Sequence, residues 1–172
     1  MPIKQFIKKN NSWFEKKIKI SSKNNFELVD APTTLNKLEK KIGIKLEKNQ
    51  KFIEFSPLAY KYLNTISKKI NTFRGGLLII DYGYLEKQMK NSLQSVYRHK
   101  FNNILKNFSK ADITYNISFD LLKKISKKLK LKVAGLTTQK KFLTNLGIVQ
   151  RANILAKNLK FSEKANIYYR LN

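Results

Sequence analysis

The sequence predicts an α/β fold, because of the order of its segments and the character of its apolar runs. Stretches with helical spacing alternate with short apolar runs typical of strands, an order that favours crossover connections. With 172 residues and 42% hydrophobic content, the chain can bury one ordinary core. We therefore expect a single domain over 1–172, with a β-hairpin and an exposed excursion over 1–50 and a helix–strand–helix part over 51–172.

The first fifty residues are dominated by strand signals. Residues 3–7 and 13–20 are rich in β-forming residues and are separated by a polar turn, which predicts a hairpin. Residues 26–29 predict a further short strand, which the Asp-Ala-Pro-Thr-Thr sequence over 30–34 should end. Residues 35–48 are lysine-rich with partial helical periodicity, and we interpret them as the exposed excursion.

The middle of the chain predicts one helix and one buried strand. Ser56 and Pro57 are suited to the start of a helix, and apolar residues follow at a spacing close to 3.6 until about Asn71. Residues 77–80 are apolar at every position, which is typical of a central strand covered on both faces. This strand should stop at Asp81.

The last part of the chain continues this rhythm. Residues 85–110 show no strong periodicity, whereas 121–129 fit a helix whose cap is Ser118 or Asp120. Residues 131–133 predict the next strand. Helical patterns then follow over 139–146, over 149–159 and in the final segment.

The chain carries a formal net charge of +25, from 36 basic and 11 acidic residues. Such basicity would suit nucleic acid or an anionic membrane surface. Only four of the basic residues are arginine, the residue preferred for bidentate phosphate and base contacts, and this disfavours nucleic acid as a partner. A lysine-rich solvated surface that follows genome base composition is the alternative explanation.

Several functional classes lack support in the sequence. The absence of cysteine excludes disulfide frameworks and thiolate metal sites, and His99 is the only histidine, so we predict no metal site. No apolar run approaches the roughly 18 residues of a membrane span, and no signal peptide is recognisable. We expect a cytoplasmic protein without a membrane span.

The residues best placed for chemistry follow the predicted central strand. Asp81, Tyr82 and Gly83 occupy the carboxyl end of 77–80, where open α/β sheets bind their ligands. Asp81 could accept a proton or hold a cation, or it could only cap the next turn. His99 could serve as a general base or be a surface residue.

Several segments together resemble the MidA-like S-adenosylmethionine-dependent methyltransferases, whose mitochondrial relatives are assembly factors of respiratory complex I. Each segment alone is unspecific, but their order and spacing extend over nearly the whole chain. The matching segments are residues 2–6, 76–84, 92–95, His99, 111–119, 138–139, 142–143 and 146–148.

The resemblance implies the C-terminal half of a Rossmann-like class I methyltransferase sheet, with flanking helices and an inserted β-hairpin. It implies S-adenosylmethionine as cofactor and a protein arginine as methyl acceptor, with a respiratory complex I subunit as the candidate substrate. Asp81 and His99 would then be catalytic. The implied substrate-binding residues are Tyr82, Gly83, Gln94, Asp112 and Thr114.

The cofactor-binding residues of this family precede the segment that matches residues 2–6, so we expect them upstream of Met1. The family also has a final sheet strand, which we expect beyond Asn172. The isolated chain should therefore bind the cofactor weakly or not at all and be inactive. Lys140 and Lys141 stand where a glycine and a glutamate are common, which leaves substrate contacts there open. The alternatives are a non-enzymatic protein-binding remnant and a basic nucleic-acid-binding protein; oligomeric state is not predicted.

Overall fold

The computed structural model describes residues 2–46 and 49–171 and has the predicted α/β character. The chain divides into two compact units, Met1–Val133 and Ala134–Asn172. The strands are β1 Lys4–Lys9, β2 Ser12–Ile20, β3 Phe26–Thr33, β4 Phe52–Phe55, β5 Gly83–Tyr84, β6 Gln94–Tyr97, β7 Lys100–Asn102, β8 Asp112–Thr114 and β9 Ile117–Ser118. The helices are α1 Asn36–Ile42, α2 Pro57–Phe73, α3 Phe119–Lys128, α4 Gln139–Asn145, α5 Ile148–Ala156 and α6 Phe161–Tyr169.

The predicted hairpin at the start of the chain is confirmed as part of a four-stranded antiparallel sheet. The strand order is β3-β2-β1-β4, and Asn10 and Asn11 turn the chain between β1 and β2 with φ of 45° and 61°. Asparagine tolerates this left-handed conformation. The expected break over 30–34 is wrong, because β3 extends to Thr33. Pro32 is accommodated since β3 is an edge strand, where a missing backbone N–H costs little.

The expected exposed excursion over 35–48 is also wrong in part, because it contributes to the core. Leu35 and Ile42 are 8% and 2% exposed, and Leu38 packs against the same cluster. A spacing of three and four residues places these side chains on one side of α1. The core of the first unit therefore lies between β1, β4 and helices α1, α2 and α3. Its buried members are Phe6, Leu35, Ile42, Ile53, Phe55, Leu63, Leu121 and Ile125.

Both predicted helix starts in the first unit are observed. The Ser56 hydroxyl accepts a hydrogen bond from the Ala59 N–H at 3.2 Å, with Pro57 in the first turn of α2. Ser118, not Asp120, caps α3, and its hydroxyl accepts from the Leu121 N–H at 3.3 Å. Asp120 instead pairs with the Lys124 ammonium one turn later, at 2.9 Å.

The predicted central strand over residues 77–80 is not formed. Its four apolar side chains are 39% to 63% exposed, and no strand pairs with it among the described residues. Residues 131–133, the other predicted inner strand, also pair with no described strand. A strand requires a neighbouring strand whose backbone completes its hydrogen bonds. An apolar run favours burial, but it does not show that a neighbouring strand is present.

Residues 85–110, which show no strong periodicity, contain strands that the sequence did not predict. β6, β7 and β8 form a three-stranded antiparallel sheet in the order β7-β6-β8. Its strands are three or four residues long and partly polar, so they show little hydrophobic periodicity. β5 pairs with β9 in parallel, Gly83 opposite Ile117.

The second unit consists of three short helices, as the periodicity predicted. The Thr138 hydroxyl caps α4 by accepting from the Lys141 N–H at 3.3 Å. The Tyr168 hydroxyl donates to Asn153 Oδ1 at 2.8 Å and so links α6 to α5. None of the described helices combines the length and the apolar composition that crossing a membrane requires.

Candidate substrate site

The sheet of β6, β7 and β8 brings three predicted substrate-binding residues onto one face. Gln94 lies opposite Thr114, and Val96 lies opposite Asp112. Residues directly opposite each other in a ladder, and residues two apart along a strand, point to the same side. Gln94 Nε2 donates to Thr114 Oγ1 at 3.1 Å, and Gln94, Asp112 and Thr114 are all exposed. We call the group of Gln94, Asp112 and Thr114 the acceptor face.

The ionisable side chain of this face is Asp112. Asp112 and Asp81 form no ion pair with any described residue, although the chain has 36 basic and 11 acidic residues. Asp30 and Asp120 show the contrast, because each pairs with a lysine. Both free carboxylates remain available to a cationic ligand.

The structure places Asp81, Tyr82 and Gly83 beside the segment that follows the acceptor face. The Asp81 carboxylate accepts from the Tyr82 N–H at 2.8 Å, which is the capping role considered as its alternative. The Tyr82 side chain is 85% exposed, and its carbonyl accepts from the Ile117 N–H at 2.9 Å. Gly83 meets β9 so closely that an added Cβ would lie 2.3 Å from the Ile117 carbonyl oxygen.

Two tyrosines near this segment, Tyr115 and Tyr84, have raised pKa values. Burial raises the pKa of Tyr115, a hydrogen bond with Ser56 opposes the rise, and the charges of Asp81 and Glu54 add to it. Burial also raises the pKa of Tyr84, and the Glu54 charge again adds to the effect. A cavity of about 90 Å³ adjoins both rings, Glu54 and mainly apolar side chains of α2 and α3.

His99 lies in a different environment from the acceptor face. It occupies the exposed turn between β6 and β7, where Arg98 and His99 have φ of 51° and 62°. No described residue forms a hydrogen bond with its ring. The structure shows no partner that would activate it as a base, so its catalytic role stays a prediction.

One buried carboxylate of this region, Glu54, was not predicted from the sequence as a site residue. Glu54, at the end of β4, is 6% exposed and accepts from Gln5 and from the segment at Ser92 and Leu93. One signal was present: a glutamate interrupts the apolar sequence Phe-Ile-Glu-Phe directly before the helix cap Ser56. A buried carboxylate at such a place needs several donors.

Comparison with known proteins decides the family. A family of S-adenosyl-L-methionine-dependent methyltransferases matches residues 1–137. The chain belongs to this methyltransferase family.

This chain is similar to curated relatives that are much longer. It is 29% identical over 103 residues to the mitochondrial protein arginine methyltransferase NDUFAF7 of Xenopus tropicalis, covering 60% of this chain and 24% of the relative. It is 28% identical over 164 residues to the NDUFAF7 homolog of Caenorhabditis elegans, covering 93% of this chain and 38% of the relative. The chain thus spans about a quarter to two fifths of these relatives.

A solved structure shows the same fold as this chain. A methyltransferase-like superfamily member from Burkholderia thailandensis, bound to S-adenosyl-homocysteine, superimposes with a TM-score of 0.72 at 19% identity. The superposition covers 99% of this chain and 46% of the other. The methyltransferase fold is therefore confirmed, and this chain corresponds to somewhat less than half of it.

The described residues of this chain do not fit S-adenosylmethionine. In such folds the cofactor lies against a glycine-rich turn between a strand and the N-terminus of a helix. The six glycines are at positions 43, 75, 76, 83, 135 and 147, and no two of them share a turn of this kind. The acceptor face offers side chains suited to a cationic substrate instead.

Proposed function

We propose that this chain forms the substrate-facing part of an S-adenosylmethionine-dependent methyltransferase that acts on a protein arginine. The observation that carries the proposal is the acceptor face, where Asp112 lies beside Gln94 and Thr114 and pairs with no described cation, in a chain of net charge +25. The relatives named above as protein arginine methyltransferases support the choice of arginine. Within this proposal a respiratory complex I subunit is the candidate substrate.

The chemistry of a guanidinium suits these residues. A guanidinium has five N–H donors and no acceptor, so it binds where acceptor oxygens are exposed and negative charge is uncompensated. The Asp112 carboxylate, the Gln94 carbonyl oxygen and the Thr114 hydroxyl can each accept a hydrogen bond. Asp81 is a second carboxylate that pairs with no described cation. Its charge contributes to the raised pKa of Tyr115, one residue beyond β8. The role of these residues is to bind and orient the arginine.

The cofactor contacts are expected from the part of the fold that this chain does not span. The exposed apolar residues 77–80 support this view, because their side chains and backbone groups lack the cover that a sheet provides. The chain alone should therefore bind S-adenosylmethionine weakly or not at all. Isothermal titration calorimetry tests this, and a dissociation constant in the micromolar range, about −8 kcal/mol of binding free energy, would contradict it.

The methyltransferase activity can be tested in a chimera in which this chain replaces the segment that it matches in the Burkholderia thailandensis relative. We expect the chimera to bind S-adenosyl-homocysteine and to form methylarginine in an arginine-rich protein mixture, measured by mass spectrometry. Asp112→Asn keeps the side-chain shape but removes the charge, and should lower turnover at least about tenfold, as expected for losing a hydrogen bond between charged groups.

Asp120→Asn in α3 is the matched control, because it makes the same chemical change in an aspartate already paired with Lys124. It should leave turnover within about twofold, since an exposed ion pair contributes little. A chimera that binds S-adenosyl-homocysteine but produces no methylarginine would refute the proposed function. Equal turnover of the Asp112→Asn variant and its parent would remove the acceptor face from the substrate site.

A further inference from the structure

Glu54 is a buried carboxylate at the end of β4, and it lies outside the acceptor face. It is 6% exposed and directly precedes the core residue Phe55 and the helix cap Ser56. Removing an ionised carboxylate from water is costly unless hydrogen bonds compensate it. The residues that supply those hydrogen bonds therefore indicate what the buried charge is for.

Four donors converge on this carboxylate. Glu54 Oε1 accepts from Gln5 Nε2 at 2.8 Å, and from the backbone N–H groups of Ser92 and Leu93, both at 3.1 Å. Glu54 Oε2 accepts from the Ser92 hydroxyl. A carboxylate offers about four acceptor positions. These four donors supply most of the hydrogen bonds that the carboxylate can accept, so the groups that Glu54 holds indicate its role.

Ser92 carries the contact onward to the second strand of the acceptor face. Its hydroxyl oxygen accepts from the Asn116 N–H at 2.9 Å while its proton is donated to Glu54. Ser92 lies two residues before Gln94, and Asn116 lies two residues after Thr114. The same buried charge thus fixes the chain where it enters β6 and where it leaves β8, on either side of the Gln94–Thr114 pair.

We propose that Glu54 is a positioning residue that sets the geometry of the acceptor face by holding Ser92, Leu93 and, through the Ser92 hydroxyl, Asn116. The holding itself depends only on the contacts above, whereas its consequence for catalysis rests on the proposed function. Gln5 extends the arrangement to β1, because its amide Nε2 also donates to Asn91 Oδ1 at 3.0 Å. The acceptor face is therefore linked by hydrogen bonds to the four-stranded sheet.

Hydrogen exchange on the intact chain tests the holding role directly. Glu54→Gln preserves size and reach but removes the charge and replaces one acceptor oxygen with an NH₂ group. We expect exchange of the Ser92, Leu93 and Asn116 amides to accelerate at least about tenfold, the equivalent of losing one hydrogen bond to a charged group. Amides of β1 and β2 that pair across the hairpin should keep their protection.

Two further variants make the result specific. Glu54→Asp keeps the charge with a shorter side chain and should restore part of the protection. Glu15→Gln changes a carboxylate of β2 that contacts lysines instead of backbone N–H groups, and should leave the three amides unchanged. Unchanged exchange at Ser92, Leu93 and Asn116 in Glu54→Gln would overturn the proposal, and so would an equal acceleration across the whole first unit.

The catalytic consequence is measured in the chimera described above. Glu54→Gln should lower kcat at least about tenfold while the affinity for S-adenosyl-homocysteine stays within twofold, because the acceptor face and not the cofactor region is disturbed. A purely structural loss would lower both. If the parent chimera were inactive, the proposed function would fail, while the exchange experiment would still decide the role of Glu54. Unchanged kcat with accelerated exchange would overturn the positioning role.

Discussion

Substituting Gly83 tests the close contact between β5 and β9. In Gly83→Ala the new Cβ would lie 2.3 Å from the Ile117 carbonyl oxygen and 2.6 Å from the Phe119 ring. Real Cβ atoms do not approach backbone oxygen so closely, so β9 must move. Such overpacking costs roughly 1–3 kcal/mol. Displacing β9 also disturbs Ser118, which caps α3. Loss of such a cap lowers the free energy of unfolding by about 1 kcal/mol.

We therefore expect Gly83→Ala to lower the free energy of unfolding by about 2–4 kcal/mol. Urea unfolding followed by circular dichroism measures this value. Gly76→Ala is the matched control, because an added Cβ there meets nothing within 4 Å and no positive φ opposes it. It should be neutral or stabilise by up to about 1 kcal/mol. If the two variants unfolded at the same urea concentration, the close approach of β5 to β9 would be wrong.

Two other predictions concern single side chains. Ser118→Ala should destabilise the first unit by about 1 kcal/mol, because the Leu121 N–H loses its acceptor. Asp120→Asn should destabilise it by less than half of that amount. Comparing the urea midpoints of the two variants checks which residue caps α3. The pKa of Asp30 is lowered from 3.8, chiefly by its hydrogen bond with Lys9, so its contribution to stability is present above pH 3.8 and is lost as the pH falls through the lower folded value. Urea unfolding between pH 2 and 6 should show an acid loss of stability that Asp30→Asn reduces, and an identical pH profile in that variant would exclude the contribution.

The elements set by local signals could be predicted from the sequence. The Ser56-Pro57 start of α2 and the hairpin turn at Asn10 and Asn11 depend on nearby residues, and the structure confirms both. The polar strand β6 was missed because its ladder depends on partners several residues away in β7 and β8. Hydrophobic periodicity does not report such pairing.

The candidate site shows the same division. Gln94, Asp112 and Thr114 were selected through a family resemblance, and the sheet register that unites them could not be derived from spacing alone. Glu54 was missed because its function depends on donors from residues 5, 92 and 93, far from it in sequence. Residues 77–80 show the opposite error: their composition predicted a buried strand, but their side chains are exposed and no described strand pairs with them.

The uncovered apolar segment also has a consequence for the behaviour of the chain in solution. The sequence Gly-Gly-Leu-Leu-Ile-Ile over 75–80 has no charge and no proline, and its open backbone resembles the unprotected edges through which copies of a protein aggregate. Arg74 and Asp81 stand immediately on either side of it, and charges in such flanking positions act as gatekeepers against stacking. We therefore expect Asp81, which was considered above for substrate orientation, also to disfavour self-association of the protein at high concentration.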